Sequence, residues 1–351
     1  MKISYRSILN YLIPLVVAIS VCVTVSFQIR QVAASNVDNS ISFNSFTGSF
    51  SKYEELRQEW RPRILSNFLA GRFVNLFSDR FRDFYKSEAN KMIYAWWTAA
   101  WLFLISVLFI IVFKQKSLLY ILGAFAGISF AYTPGVGVMR VYPWDMPALF
   151  AFCCFILFIK NKRELWLTVF IPVAILLKET SFLMVIAFIF LEKVPWRRKL
   201  LLAGIASLAG IAVKLAVDLL TGNPSPLLSM TYMIEPGQMA AYLHVPMNAP
   251  FRFEFSRLAA NLPSLFSWRW DSLLFVDAGL LLVLLLLPIK PYPLAMFKVI
   301  AVIFLLGNLV FGVITEYRIW FEMIPLALYG IDLTLFTDLK SPELQPSPPG
   351  K

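Results

Sequence analysis

The sequence predicts an all-α fold, a polytopic transmembrane helical bundle of about ten spans with some short or broken helices. Three observations predict it. Of 351 residues, 59% are hydrophobic and only 15% charged, at a mean hydropathy of +0.69, which is more apolar surface than a soluble core of this size could hide. Apolar runs recur at lengths that cross a ~30 Å hydrocarbon layer at ~1.5 Å per helical residue. The Lys and Arg residues between those runs gather in short loops.

The runs lie at 9–28, 92–113, 117–134, 200–220, 272–288, 292–314 and 317–337, with a thinner candidate at 143–159. Lys2 and Arg6 give the first run the basic start of a signal peptide, yet its apolar length favours a retained span. Between the first two runs lies a long segment, 31–91. Within it, "ILSNFLAGRFVNLFSDRFRDFY" (64–85) sets Leu65, Leu69, Phe73, Leu76, Phe77 and Phe84 on one helical face, the pattern of an interfacial amphipathic helix. A second polar segment, 221–271, mixes aromatic and Arg residues in "APFRFEFSRLAANLPSLFSWRW" as chain at headgroup level does. One transmembrane domain therefore covers 1–337, and the Pro-rich 338–351 reads as a disordered cytoplasmic tail.

The run 165–191 is too long for one helix and too short for two full ones. Basic residues arbitrate, because Lys and Arg of short loops stay on the cytoplasmic side. The clusters are Lys114/Lys116, Lys160/Lys162/Arg163, Lys193/Arg197/Arg198/Lys199, Lys290 and Lys340. A single crossing would put 160–163 and 193–199 on opposite sides; a hairpin keeps both inside, with both termini cytoplasmic in an inner (plasma) membrane. The segments 31–91, 135–145, 221–271 and 315–318 then fall on the outer face, together with the hairpin apex Lys178–Glu179–Thr180. Each arm of about a dozen residues reaches roughly 18–20 Å, so the apex is expected below the outer surface. Ionisable groups near mid-membrane cost about 2.5–3.5 kcal/mol each on insertion scales, so the apex charges need partners or a wet cavity. Pro172 suits a bent, cavity-lining arm.

The candidate site residues follow from that layout. Lys178 and Glu179 would point about 100° apart on a helix and call for separate partners, such as a phosphate for the lysine and an Arg or Lys for the glutamate. Asp145, between Pro143 and Pro147, opens a helix where a carboxylate suits free N–H groups, with Arg140 nearby. In "TEYRIWFEMIPLALYG", Glu316 and Arg318 sit at the mouth of the last run, and Glu322 lies i,i+4 from Arg318, the spacing of a plain salt bridge. The first outer segment offers Asp38, Glu54, Glu55 and Glu59 as bases and Arg57, Arg61 and Arg63 as phosphate clamps. Lys214 and Asp218 read as a helical ion pair.

Other classes lack support. The excess of 32 Lys+Arg over 21 Asp+Glu marks cytoplasmic loops and anionic headgroups in a chain this apolar, and no nucleic-acid partner is expected. Cys22, Cys153 and Cys154 sit inside apolar runs without zinc or disulfide spacing, and the lone His244 removes multi-imidazole metal sites. There is no Walker A loop, GxSxG, HExxH or dinucleotide fingerprint.

The ordering of these parts resembles the GT-C superfamily of polytopic glycosyltransferases that use polyprenyl-phosphate-linked sugars, in a poorly characterised bacterial branch. It rests on "EWRPRILSNFLA", "YPWDMPALF", "ILLKETSFLMVIAFIF" and "EYRIWFEMIPLALYG" and covers most of the chain. The resemblance implies transfer of a hexose or pentose from a polyprenyl-phosphate donor to an extracytoplasmic glycan, lipid or protein acceptor, in contact with membrane lipids. It implies Asp38 as catalytic base and Lys178, Arg63, Arg140 and Arg318 as phosphate contacts, with Asp145, Glu179, Glu316 and Glu322 as a supporting polar cluster. It also implies a divalent cation, Mg²⁺ or Mn²⁺. The chain departs from the pattern in lacking an Asp-Glu or Asp-x-Asp pair after its first run and a large soluble C-terminal domain. A transporter or flippase of a lipid-linked or anionic solute is the alternative, with the same buried charges lining a pathway.

Overall fold

The computed structural model describes residues 5–35, 63–78, 86–131, 144–220, 284–288, 293–311 and 317–335. Among these residues every regular element is a helix and there is no strand. In chain order they are α1 (Tyr5–Ser35), α2 (Ile64–Ser78), α3 (Lys86–Phe113), a short 3₁₀ turn (Lys114–Lys116), α4 (Ser117–Ala131), α5 (Asp145–Lys160), α6 (Glu164–Leu177), a 3₁₀ arm (Glu179–Phe190), α7 (Trp196–Leu220), α8 (Pro293–Phe311), a 3₁₀ turn (Tyr317–Met323) and α9 (Ile324–Leu335).

The apolar runs become layers according to how completely they are apolar. α5 is hydrophobic all round and sits at the centre, with Ala148, Leu149, Ala151, Phe152 and Phe155 at 0% exposure. α9 joins it, every residue from Ile324 to Gly330 being buried. Around this centre α1, α3 and α7 are long and apolar enough to cross a membrane, over Tyr11–Gln28, Ala95–Phe113 and Trp196–Val217. Their outward faces are greasy: Val16, Val23 and Phe27 on α1 and Leu201, Leu208 and Leu219 on α7 are exposed. Exposed leucine and phenylalanine along whole helices would be an aggregation liability in water, and they suit hydrocarbon as the solvent.

Two sets of contacts fix the ends of the bundle. At one end, Lys116 Nζ reaches Asp332 Oδ1 at 2.9 Å and the Tyr120 hydroxyl donates to the same oxygen at 3.1 Å, tying α4 to the end of α9. Lys160 donates to the Val112 carbonyl, placing the last residue of α5 beside the last turn of α3. At the other end, Ser129 Oγ donates to Gln28 Oε1 at 2.5 Å, and edge-on aromatic contacts run from Phe73 through Trp97 and Trp101 to Phe150. The first end carries the basic clusters and is called the basic end below.

The run 165–191 folds as a hairpin. α6 leaves the basic end, Lys178 breaks it in an extended conformation (φ −160°, ψ 137°), and the 3₁₀ arm returns. Glu164 and Leu167 of the outgoing arm share a cleft with Ala187, Phe190 and Leu191 of the returning one, so both feet stand together. The arms are longer than helical arithmetic for a dozen residues gave. α6 has 14 residues and reaches about 21 Å; the returning 12 rise about 2.0 Å each as a 3₁₀ helix and reach about 24 Å. The tighter winding lets the shorter arm match the longer. α7 packs on both arms, and the backbone of Gly210 lies so close that a Cβ there would meet Ile175 Cδ1 at 2.6 Å and Phe182 Cε2 at 3.3 Å.

The helix expected over 64–85 is described as α2 to Ser78. Leu65, Leu69 and Phe73 pack against the core as expected, but Leu76 is 72% exposed, so the buried face runs through Ser66 and Ala70 instead. The segments 221–271 and 338–351 lie outside the described residues.

Candidate functional site

The site forms where the hairpin turns. Breaking α6 at Leu177 releases a carbonyl that the helix no longer uses, and Ser66 of α2, itself 0% exposed, donates its hydroxyl to it at 2.9 Å. One residue later, the extended backbone of Lys178 swings consecutive side chains apart. Ser181 N–H then donates to the Lys178 carbonyl at 3.1 Å and starts the 3₁₀ winding.

Each apex charge meets a different partner from a distant stretch of chain. Lys178 Nζ pairs with Glu322 Oε1; the residues are only 7% and 1% exposed. Arg63 grips Glu179 with both arms of its guanidinium, Nε to Oε2 at 3.1 Å and Nη2 to Oε1 at 3.0 Å. The same guanidinium lies over the Trp144 ring at 4.4 Å to the centroid. Trp144 precedes Asp145, which is 1% exposed at the first position of α5. Four segments far apart in sequence thus bring Arg63, Asp145, Lys178, Glu179 and Glu322 to one end of the bundle. The two ion pairs neutralise four charges in an apolar surround, where an uncompensated one would cost several kcal/mol.

Hydrogen bonding at the apex is incomplete among the described residues. Thr180 Oγ1, Ser181 Oγ and the carboxylate oxygens of Glu322 are buried with no hydrogen bond to them, apart from the ionic contact of Glu322 Oε1. Buried polar atoms of folded proteins are nearly always satisfied, by protein or by water, so the apex is the polar spot of an otherwise apolar end.

Several expectations change. Arg63, expected on a phosphate, has both ends of its fork on Glu179. Lys178, expected in a helix, is extended and pairs with Glu322. Residues 317–323 wind as a 3₁₀ turn, and the Arg318–Glu322 spacing read as a plain salt bridge falls on a side chain outside the described residues. Glu322 is turned to Lys178; the Arg318 and Asp218 side chains lie outside the described set. Asp145 opens α5 as expected, with Trp144 at the position before it. Asp38, Arg57, Arg61, Arg140, Glu54, Glu55, Glu59 and Glu316 fall outside the described residues. Ser66 and Trp144 had no assigned role in the sequence. A hydroxyl on the apolar side of an amphipathic helix, and an indole immediately before a buried carboxylate, were the available signals.

Among the described residues no three His, Cys, Asp or Glu side chains gather as a metal site.

Comparison with known proteins adds no family to this geometry: no family model, no curated protein and no solved structure matches the chain.

Proposed function

We propose that the chain is a multi-pass membrane glycosyltransferase of the GT-C kind, with about ten spans and both termini on the cytoplasmic side. In this reading it moves a sugar from a polyprenyl-phosphate donor to an acceptor on the outer face. One observation carries the reading: charged and unsatisfied polar groups converge on the hairpin apex, at the end of an apolar bundle opposite its basic clusters. The positive-inside rule makes the basic end cytoplasmic and the apex extracytoplasmic.

The chemistry assigns each group a task. Arg63–Glu179 and the Trp144 stack lock the apex and α2 together, so they position the site. Lys178 is the cation. Its ammonium carries three N–H donors, and a donor phosphate arriving beside it competes with Glu322 for them. The acceptor hydroxyl gives its proton to Asp38 while its oxygen bonds to the anomeric carbon. The carbon–oxygen bond to phosphate breaks, and the electron pair leaves with polyprenyl phosphate. A prepositioned ammonium in a low-dielectric recess stabilises the charge that develops on that leaving oxygen.

The test needs a variant that loses the charge and keeps the fold. Lys178→Met with Glu322→Met removes both members of the buried pair, an exchange that leaves stability near neutral. Full-length protein in lipid nanodiscs is assayed for sugar release from a panel of polyprenyl-phosphate hexoses and pentoses. The expected outcome is release from one donor, falling about 10²–10³-fold in the double variant. Unaltered turnover would overturn the role of Lys178. Passage of intact lipid-linked sugar between leaflets without release would make the chain a flippase.

A further inference from the structure

The basic end holds a cleft that sugar transfer at the apex does not use. It lies between the α5–α6 turn, the foot of the 3₁₀ arm and the start of α8, a cleft of about 100 Å³ that opens to the surroundings. Its walls are apolar, with Phe158, Leu167, Phe190 and Met296 among them. Its rim carries Lys162, Arg163, Glu164 and Glu192, none in an ion pair among the described residues. Two cations and two carboxylates thus border an apolar slot.

We propose that this cleft holds a membrane phospholipid with a primary ammonium headgroup, of the phosphatidylethanolamine type. Lys162 and Arg163 take the phosphate, Glu164 and Glu192 take the ammonium, and the first acyl carbons lie along the apolar wall. Charge selects this occupant over its neighbours in a bilayer. A purely anionic headgroup would satisfy the two cations but leave two carboxylates facing negative charge. A choline headgroup balances the charge but offers no N–H to a carboxylate.

Exposed indoles beside the cleft suit the headgroup level, and the turn that carries Lys162 keeps a charge there. Leu165, Trp166 and Trp196, beside the rim in sequence, are 62%, 63% and 57% exposed, and indoles prefer the membrane–water boundary. Lys162 holds φ at +53°, the left-handed conformation that closes α5 with Arg163 N–H on the Phe158 carbonyl and its own N–H on the Ile159 carbonyl. Glycine or asparagine fits that position with less strain, so a lysine there keeps its charge at a conformational cost. The proposal needs the chain to sit in a bilayer and does not need it to transfer sugar.

Full-length protein is carried through nanodiscs of equimolar phosphatidylethanolamine, phosphatidylglycerol and phosphatidylcholine, then released into mild detergent for native mass spectrometry. Phosphatidylethanolamine should stay bound about tenfold over the other two, the ratio that one charge-assisted hydrogen bond supports. Lys162→Asn with Arg163→Gln, which tolerates the left-handed turn, should erase that retention. Glu164→Gln with Glu192→Gln should shift it to phosphatidylglycerol. Equal retention of the three lipids, a preference for phosphatidylglycerol in the unaltered protein, or retention indifferent to both variants would each overturn the proposal. Failure to enter nanodiscs at all would overturn it together with the bilayer placement.

Discussion

The hairpin carries the same two residues side by side at both extremes of its returning arm: Lys178–Glu179 at the apex and Glu192–Lys193 at the foot. At the apex each charge is consumed by a partner brought from elsewhere, Glu322 for the lysine and Arg63 for the glutamate. At the foot both residues are exposed, and Lys193 takes a left-handed φ of +58°, as Lys114 and Lys162 do at the same end. The dipeptide is equivalent; the surroundings decide what it means. Inside the bundle, low dielectric makes an unpaired charge intolerable, so pairing becomes a specification of which segments meet. At the foot, water screens the charges and leaves them available to a ligand.

The largest effect should come from breaking the apex half of this contrast. Lys178→Met alone strands Glu322 and should cost about 3–5 kcal/mol, seen as a lowered melting temperature in detergent, with Glu322→Met on top restoring most of the loss. A single variant as stable as the double would mean that the pair is not buried as described. A smaller effect follows from Arg63→Lys, which keeps the charge and loses the two-pronged grip and the stack on Trp144. About 1 kcal/mol is expected after allowing for the partial exposure of Glu179, read as faster amide exchange in 64–78. Exchange unchanged in α2 would show that Arg63 does not fasten it. Lys162→Gly should act in the opposite direction at the basic end, relieving the left-handed backbone and raising stability by at most about 1 kcal/mol. A fall in melting temperature there would erase the distinction between an end tuned for cohesion and one tuned for availability.

Much of this was legible before any coordinates. A lysine and a glutamate in a long apolar run need partners or a wet cavity, so the expectation of two separate partners followed from the cost of burying charge. The hairpin followed from the same-side rule for basic loops, because a fold that separated 160–163 from 193–199 would have split the charge. The partners themselves were hidden. Arg63 lies 116 residues from Glu179, and nothing local distinguishes it from Arg57 or Arg61. The 3₁₀ windings were hidden as well. An apolar run with helical periodicity does not reveal that its second half winds as a 3₁₀ helix.

The Arg63–Glu179 clasp has a consequence for how the chain is made. Synthesis runs from the N-terminus, so the guanidinium emerges from the ribosome well before the carboxylate that will hold it. Until then α2 has only its greasy side to keep it near the nascent bundle. Docking of the hairpin on α2 therefore cannot precede the synthesis of residue 179, and a chain halted short of it would lack the clasp.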